Sequence, residues 1–343
     1  MRTSVPMVEL GDRIGCRRLH YAVVASTVGV GKVEPMLGRV VAAGLGWPEG
    51  PTVLPDGSIA FVEMYRSQVS VLRPGREVER LAHTGGGPNA TVLGDDGCLY
   101  VTQNGGVDGP WQADQPMPAS IQRIDPDGRV EVLFTDVAGR RLLAPNDLAF
   151  GPDGRLYFTD PGRYEPEHPP ASGGIFAVDA SGAGELIVET GPVYPNGIIV
   201  EPDGSVVWTE SYTRRVTRRT PDGSCHQLVT WPEPENVPDG LKADMEGRLY
   251  VTTTGSGGVH VLEQDGRAAG FLATGGVPTN CVFQGSRLWV TDGGHSGTAV
   301  ATQTGSLRVL DLDVTGAACP AGHLAPPIGQ SGETGRWTGG EKR

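Results

Sequence analysis

No stretch of this sequence is apolar for the roughly 18 residues that a helical membrane span needs. Cysteine is sparse and scattered. Cys16, Cys98, Cys225, Cys281 and Cys319 show no CxxC spacing and no zinc-finger pattern with histidine. They read as structural thiols in a reducing compartment, and a cytoplasmic protein is expected. Positive charge is outnumbered. The net charge of −12 argues against a nucleic-acid backbone or an anionic membrane as partner, and leaves room for a bound cation. No Gly-x-Ser-x-Gly elbow and no strand–GxGxxG–helix pattern occurs, so a serine hydrolase or dinucleotide enzyme has little support. No segment sustains a period of 3.6, so long helices are not expected.

Glycine and proline are abundant instead. With 52 Gly and 28 Pro in 343 residues, their share is about twice the average. The glycines recur at fixed places, which implies tight turns rather than disorder. One pattern repeats: a turn, then an apolar residue, an aromatic or apolar pair, and usually threonine. It reads DGSIAFVE at 56–63, DGCLYVTQ at 96–103, DGRLYFTD at 153–160, DGSVVWTE at 203–210, EGRLYVTT at 246–253 and GSRLWVTD at 285–292. The aligned apolar residues are Ile59, Leu99, Leu156, Val206, Leu249 and Leu288, spaced by 40, 57, 50, 43 and 39 residues. Each copy is followed by a further strand pattern, such as SQVSVL at 67–72 or GIFAVD at 174–179. Units of this period predict an all-β fold: a six-bladed β-propeller of four-stranded antiparallel blades around a central channel. The last copy lacks a clear fourth strand. The apolar run at 38–43 can supply it and close the ring. Residues 34–315 read as the propeller, 1–33 as an N-terminal extension without signal-peptide features, and 316–343 as a mobile tail rich in Gly, Pro and Thr.

A polar residue stands at a fixed offset before each aligned position. Glu49, Asn89, Asn146, Asn196 and Asp239 lie ten residues upstream, each after a proline, and Asn280 lies eight upstream. Taken singly, Pro-Asn-Gly or Pro-Asp-Gly is an ordinary turn. Taken together, these residues start apolar strands. If those strands are innermost in their blades, the polar residues ring the channel mouth. Two carboxylates and several amide oxygens converging there need a cation, and hard oxygen donors suit Ca²⁺, Mg²⁺ or Mn²⁺. Zinc is possible without its usual His or Cys.

At these residues the chain resembles the gluconolactonase / senescence-marker-protein / luciferin-regenerating-enzyme family. The matching stretches are WPEGP (47–51), GGGPNA (85–90), APNDLAFGPDGRLYFTDPG (144–162), PNGIIVEPDG (195–204) and VPDGLKADMEGRLYV (237–251). Each is weak alone; they occur in family order and span most of the chain. The resemblance implies a propeller holding one divalent metal ion, Ca²⁺ being favoured, on Glu49, Asn196 and Asp239. Asn146 falls at a family position that binds metal or substrate. Asp239 is the implied general base. The implied activity is hydrolysis of a sugar lactone or related ester, with a small-molecule substrate. Two positions depart from the pattern. Ala144 replaces an arginine that can help hold a sugar lactone, and Ala90 replaces a glycine.

Asn89 and Asn146 are expected to orient substrate, and Asn104 to face it. Asp147 reads mainly as a structural cap or turn partner, and Asp160 and Glu210 as structural. His295 reads as a loop residue near the mouth. Tyr164, His168 and Tyr212 sit where they can line a pocket, and Trp111 where it can form a lid. Phosphotriester hydrolysis or a cyclisation on the same scaffold, or a binding propeller without chemistry, are the rival readings.

Overall fold

A computed structural model describes residues 38–109, 111–165, 167–294 and 303–325. The extension at 1–33, His295 and residues 326–343 lie outside the described residues.

Six four-stranded antiparallel sheets form the fold. Blade 1 runs outward through Pro48–Val53, Ile59–Glu63, Gln68–Leu72 and Val78–His83; blade 2 through Pro88–Leu93, Leu99–Gln103, Ser120–Ile124 and Val130–Phe134. Blade 3 comprises Leu148–Phe150, Leu156–Asp160, Gly173–Val178 and Gly184–Gly191, and blade 4 Pro195–Val200, Val206–Glu210, Arg215–Arg219 and Cys225–Thr230. Blade 5 comprises Pro238–Ala243, Leu249–Thr253, Gly258–Leu262 and Ala268–Ala273. Blade 6 takes Pro278–Gln284, Arg287–Asp292 and Gly305–Asp311 from the end of the chain, and its outermost strand, Arg39–Leu45, from the beginning. That last pairing is antiparallel, with Arg39 opposite Val309 and Leu45 opposite Gly305. It closes the ring as the apolar run at 38–43 predicts, and it hides an edge that would otherwise be open.

The repeat has a direct physical meaning. Its glycine takes the left-handed turn between first and second strands: Gly154 has φ +79° and Gly204 φ +86°, values a side chain would resist. All six aligned apolar residues are buried between blades. Neighbouring sheets press aromatic and aliphatic residues together; Tyr100, Phe150 and Phe158, for instance, share one cluster between blades 2 and 3. Strand alternation sends one face of each blade to each neighbour. The innermost strands touch in sequence order around the ring, so blades 1 and 4 stand opposite, as do 3 and 6.

Residues 316–325 lie against the propeller. Gly316 bridges Asp244, and the Ala317 N–H donates to the Ala243 carbonyl at 3.0 Å. The Gly322 carbonyl accepts from the Asp95 N–H at 2.9 Å, and Leu324 is buried against Tyr100, whose hydroxyl accepts the Leu324 N–H at 2.8 Å. The strip therefore runs from blade 5 to blade 2 on the face opposite the polar residues. Backbone hydrogen bonds and one buried leucine hold it, and neither leaves a periodic trace in a sequence.

Candidate active site

The six polar positions lie at one end of the innermost strands, and none is the centre of a free-standing turn. Threonines from the repeat fix them. Thr159 Oγ1 donates to the Asn196 carbonyl at 2.8 Å, Thr209 to that of Asp239 at 2.5 Å, and Thr252 to that of Thr279, beside Asn280, at 2.7 Å. Thr102 bonds the Asn146 carbonyl in the same way. Each bond reaches from one blade to the next, so the recurring threonine is an inter-blade lock. The glycines that follow serve close approach. A methyl on Gly197 would lie 2.5 Å from the Asp239 carbonyl oxygen, and one on Gly240 would lie 2.2 Å from the Asn280 amide. Ala90, at the position expected to be glycine, is fully buried in the core shared by blades 2 and 3.

The side chains converge. Asn280 Nδ2 on blade 6 donates to Asp147 Oδ2 on blade 3 at 3.2 Å, across the channel. Glu49, Asn89, Asn146, Asn196 and Asn280 are all buried, while Asp239 is partly open to the mouth. Burial, then the carboxylates of Asp239 and Asp147, push the Glu49 carboxyl well above its usual range. Burial, then Asp147, does the same to Asp239. Neither Glu49 nor Asp239 has an ion-pair partner among the described residues. Asn196 touches Asp239, and its Nδ2 donates to Ser211 Oγ at 3.1 Å, which keeps the amide in place and leaves its carbonyl oxygen as an acceptor.

Asp147 was expected to cap or turn, and it does cap: its Oδ1 accepts the Leu148 N–H at 2.7 Å. It also adds a third carboxylate to the channel. Lys242 lies near it. Burial works against the lysine's charge, but Asp147 and other neighbours outweigh that and hold the ammonium above its usual pKa. The sequence signalled neither the Asp147–Asn280 bond nor Lys242.

This donor set fits a hard divalent cation. Two desolvated carboxylates that repel each other, with amide oxygens beside them, are unfavourable until a positive charge joins them. Among the described residues no group of three or more His, Cys, Asp or Glu is arranged around one point for a metal. A cation here would depend on amide oxygen as well as carboxylate.

The SMP-30/Gluconolactonase/LRE-like family model matches residues 47–293, which include all six ring positions from Glu49 in the first blade to Asn280 in the last. The chain belongs to this family. It is 25% identical over 311 residues to a gluconolactonase of Zymomonas mobilis, covering 78% of this chain and 81% of that protein. Its fold is shared by the calcium-binding protein regucalcin of Agrobacterium tumefaciens, at 23% identity and TM-score 0.68 over 84% of this chain and 98% of the other. A gluconolactonase of Xanthomonas campestris superimposes with TM-score 0.63 at 22% identity, over 80% and 92%. Membership of the gluconolactonase-like family supports a lactonase reading and implies a small-molecule substrate.

Other candidates fall into place around this family's ring. Asn89 makes no side-chain hydrogen bond among the described residues and stays available, and Asn146 touches the Tyr194 hydroxyl. Asn104 is different. Its Oδ1 accepts the Gly106 N–H at 2.8 Å and its Nδ2 lies 3.6 Å from Met64 Sδ, so the chain itself uses both ends of an amide expected to face substrate. Asp160 accepts the N–H groups of Leu143 and Ala144, each at 2.8 Å, and Glu210 binds Arg215, Thr213 and Trp208; both are structural, as expected. His168 is exposed on its loop. Trp111 is buried in a small hairpin, Val107–Asp108 with Trp111–Gln112. Beside it stands Asp108, which the sequence did not single out. A cleft of about 260 Å³ between blades 3 and 4, lined by Arg155, Glu185 and Arg219, contains none of the ring residues and belongs to the other face.

Proposed function

We propose that the protein hydrolyses a lactone at this mouth with one divalent cation, Ca²⁺ in preference to Mg²⁺, Mn²⁺ or Zn²⁺, held by Glu49, Asn196 and Asp239, with Asn146 beside them. The observation that carries this reading is the pair of mutually repelling carboxylates, Glu49 and Asp239, neither of which forms an ion pair among the described residues. An all-oxygen donor set of this kind suits Ca²⁺. A cation bound there would polarise the lactone carbonyl and offset the negative charge that develops on its oxygen.

The protein's own groups supply the rest. Asp239 is the ring carboxylate that opens to the mouth. Ionised, it takes the proton from the attacking water and passes it on as the ring opens. Asn89 and Asn146 hold substrate by hydrogen bonds, and Asn146 is steadied by Tyr194. Glu49, more deeply buried, keeps the negative charge that retains the cation. At position 144 the chain offers a buried alanine whose N–H is bound to Asp160, so no guanidinium reaches the mouth from there. That favours a lactone other than a simple aldonolactone.

The test is turnover across a panel of lactones and phosphotriesters, with chelator and with Ca²⁺ restored. Lactone hydrolysis should vanish on chelation and return with Ca²⁺. Asp239→Asn should lower kcat by about a hundredfold or more, the usual scale for a general base. Lactone turnover indifferent to both treatments, or turnover of phosphotriesters alone, defeats the proposal.

A further inference from the structure

Blades 1 and 4 face each other across the mouth, and both carry the same aromatic device. Two residues before the ring position stands Trp47 in blade 1 and Tyr194 in blade 4; the equivalents elsewhere are Gly87, Ala144, Val237 and Pro278. Trp47 and Tyr194 have φ of +56° and +57°. Bulky residues rarely adopt that conformation, and it clusters at sites where function maintains it. Each pairs with a tyrosine just past its blade's second strand. Trp47 stacks on Tyr65 with centroids 5.5 Å apart, and Tyr194 meets Tyr212 at 4.9 Å with the rings tilted by 40°. The same backbone bonds hold both pairs: the Tyr65 N–H donates to the Gly46 carbonyl at 3.0 Å, and the Tyr212 N–H to that of Val193 at 3.1 Å. A third ring completes each wall. Trp111 stacks on Tyr65 at 5.1 Å, and Tyr164 meets Tyr194 edge-on at 5.2 Å.

Asp108 pairs with Trp111 in the small hairpin beside the blade 1 wall. Its charge is felt by Tyr65 on one side, by Tyr164, Tyr194 and Tyr212 on the other, and by Asp239 in the ring below. Among the described residues its carboxylate has no hydrogen-bond or ion-pair partner, and burial alone lifts its pKa to about 6. The side chain is partly open to the mouth, where an unpaired carboxylate favours a cationic partner, and none of the groups that sense it is cationic. Aromatic faces around an unmatched anion make a site for a cation on an apolar frame. A neutral polyol offers neither the charge nor the flat apolar face.

We propose that the substrate carries a flat aromatic ring, which lies between the walls of blades 1 and 4, and a protonated amine, which meets Asp108. The protein would then be a lactonase for cationic aromatic lactones. This rests on the lactonase reading for its chemistry, but the recognition can be tested apart from it.

Three lactones separate the ideas: dihydrocoumarin, an aminomethyl-dihydrocoumarin that is cationic at neutral pH, and glucono-δ-lactone. The wild type should favour the cationic aromatic lactone over its neutral parent by about tenfold in kcat/KM, the scale of one charge-assisted contact. Glucono-δ-lactone should be the poorest. In Asp108→Asn the cationic-to-neutral ratio should fall to near one, and in Tyr212→Leu both aromatic lactones should lose ground to glucono-δ-lactone. Binding of benzylamine, followed by tryptophan fluorescence, supplies a readout without turnover. If no lactone is turned over while benzylamine still binds and Asp108→Asn weakens it, the recognition stands and the hydrolysis reading falls. If lactones are turned over with glucono-δ-lactone preferred, or with a cationic-to-neutral ratio unchanged in a folded Asp108→Asn protein, the recognition falls and the hydrolysis reading stands. Absence of both turnover and Asp108-dependent benzylamine binding overturns both.

Discussion

The floor of the mouth stands at the starts of strands, whereas its rim is made of loops and one hairpin. On the floor, each ring residue inherits its place from the propeller. Thr159 and Thr209 tie its backbone to the neighbouring blade, and Gly197 and Gly240 let the inner strands close up. On the rim, Trp47, Tyr65, Tyr194 and Tyr212 take their places from strained or irregular backbone, and Asp108 from a two-stranded hairpin inserted between the second and third strands of blade 2. The floor can set the chemistry because it is the same rigid device repeated. The rim can set the substrate because it is free to differ between blades.

If the contrast is right, changes on the floor cost stability and changes on the rim cost selectivity. The largest effect is expected for Gly197→Ala. Its methyl would collide with blade 5 backbone, and overpacking of this kind costs about 1–3 kcal/mol. A denaturation midpoint close to wild type would show that the floor is not tightly fitted. Next comes Thr159→Val, which keeps the shape but removes the bond to the buried Asn196 carbonyl and the acceptor of the Asp147 N–H; about 1–2 kcal/mol should be lost in chemical denaturation. Tyr212→Leu should change stability less than either while shifting KM for aromatic substrates. The reverse order would break the division between floor and rim.

The smallest effect is a slope in pH. Because the folded protein raises the Asp108 carboxyl to about 6, the fold binds that proton more tightly than the unfolded chain does. Stability from this group is therefore full below about pH 4 and declines as pH rises to about 6. Thermal midpoints of Asp108→Asn should lack that decline. Parallel curves for the two proteins over this interval would place the Asp108 carboxylate in water.

The same contrast explains what could be read from the sequence. The propeller was legible because six units must each bury the same apolar positions and turn at the same glycine. The ring was legible because proline and a polar residue recur at one offset from those positions. The closing strand at 38–43 followed from a missing partner in blade 6. The purpose of the repeated threonine was hidden, since a bond between blades has no signature along one strand. The second role of Asp147 was hidden too, because its partner Asn280 is on the opposite blade. The aromatic walls left only a faint trace: Trp-Pro-Glu and Tyr-Pro-Asn three blades apart, each with a tyrosine after the second strand. Asp108 left none, as it lies in an insertion outside the repeated pattern. Asn104 looked free because a strand-end amide gives no sign of the loop that folds back to bind it.

Calcium titration of the metal-stripped protein by isothermal calorimetry tests the central claim most directly, with Asp239→Asn and Glu49→Gln measured beside the wild type. One ion per wild-type chain is expected, with binding lost or greatly weakened in both variants. Equal binding in all three proteins, each shown to be folded, would mean that the oxygens gathered at the channel mouth do not hold the cation.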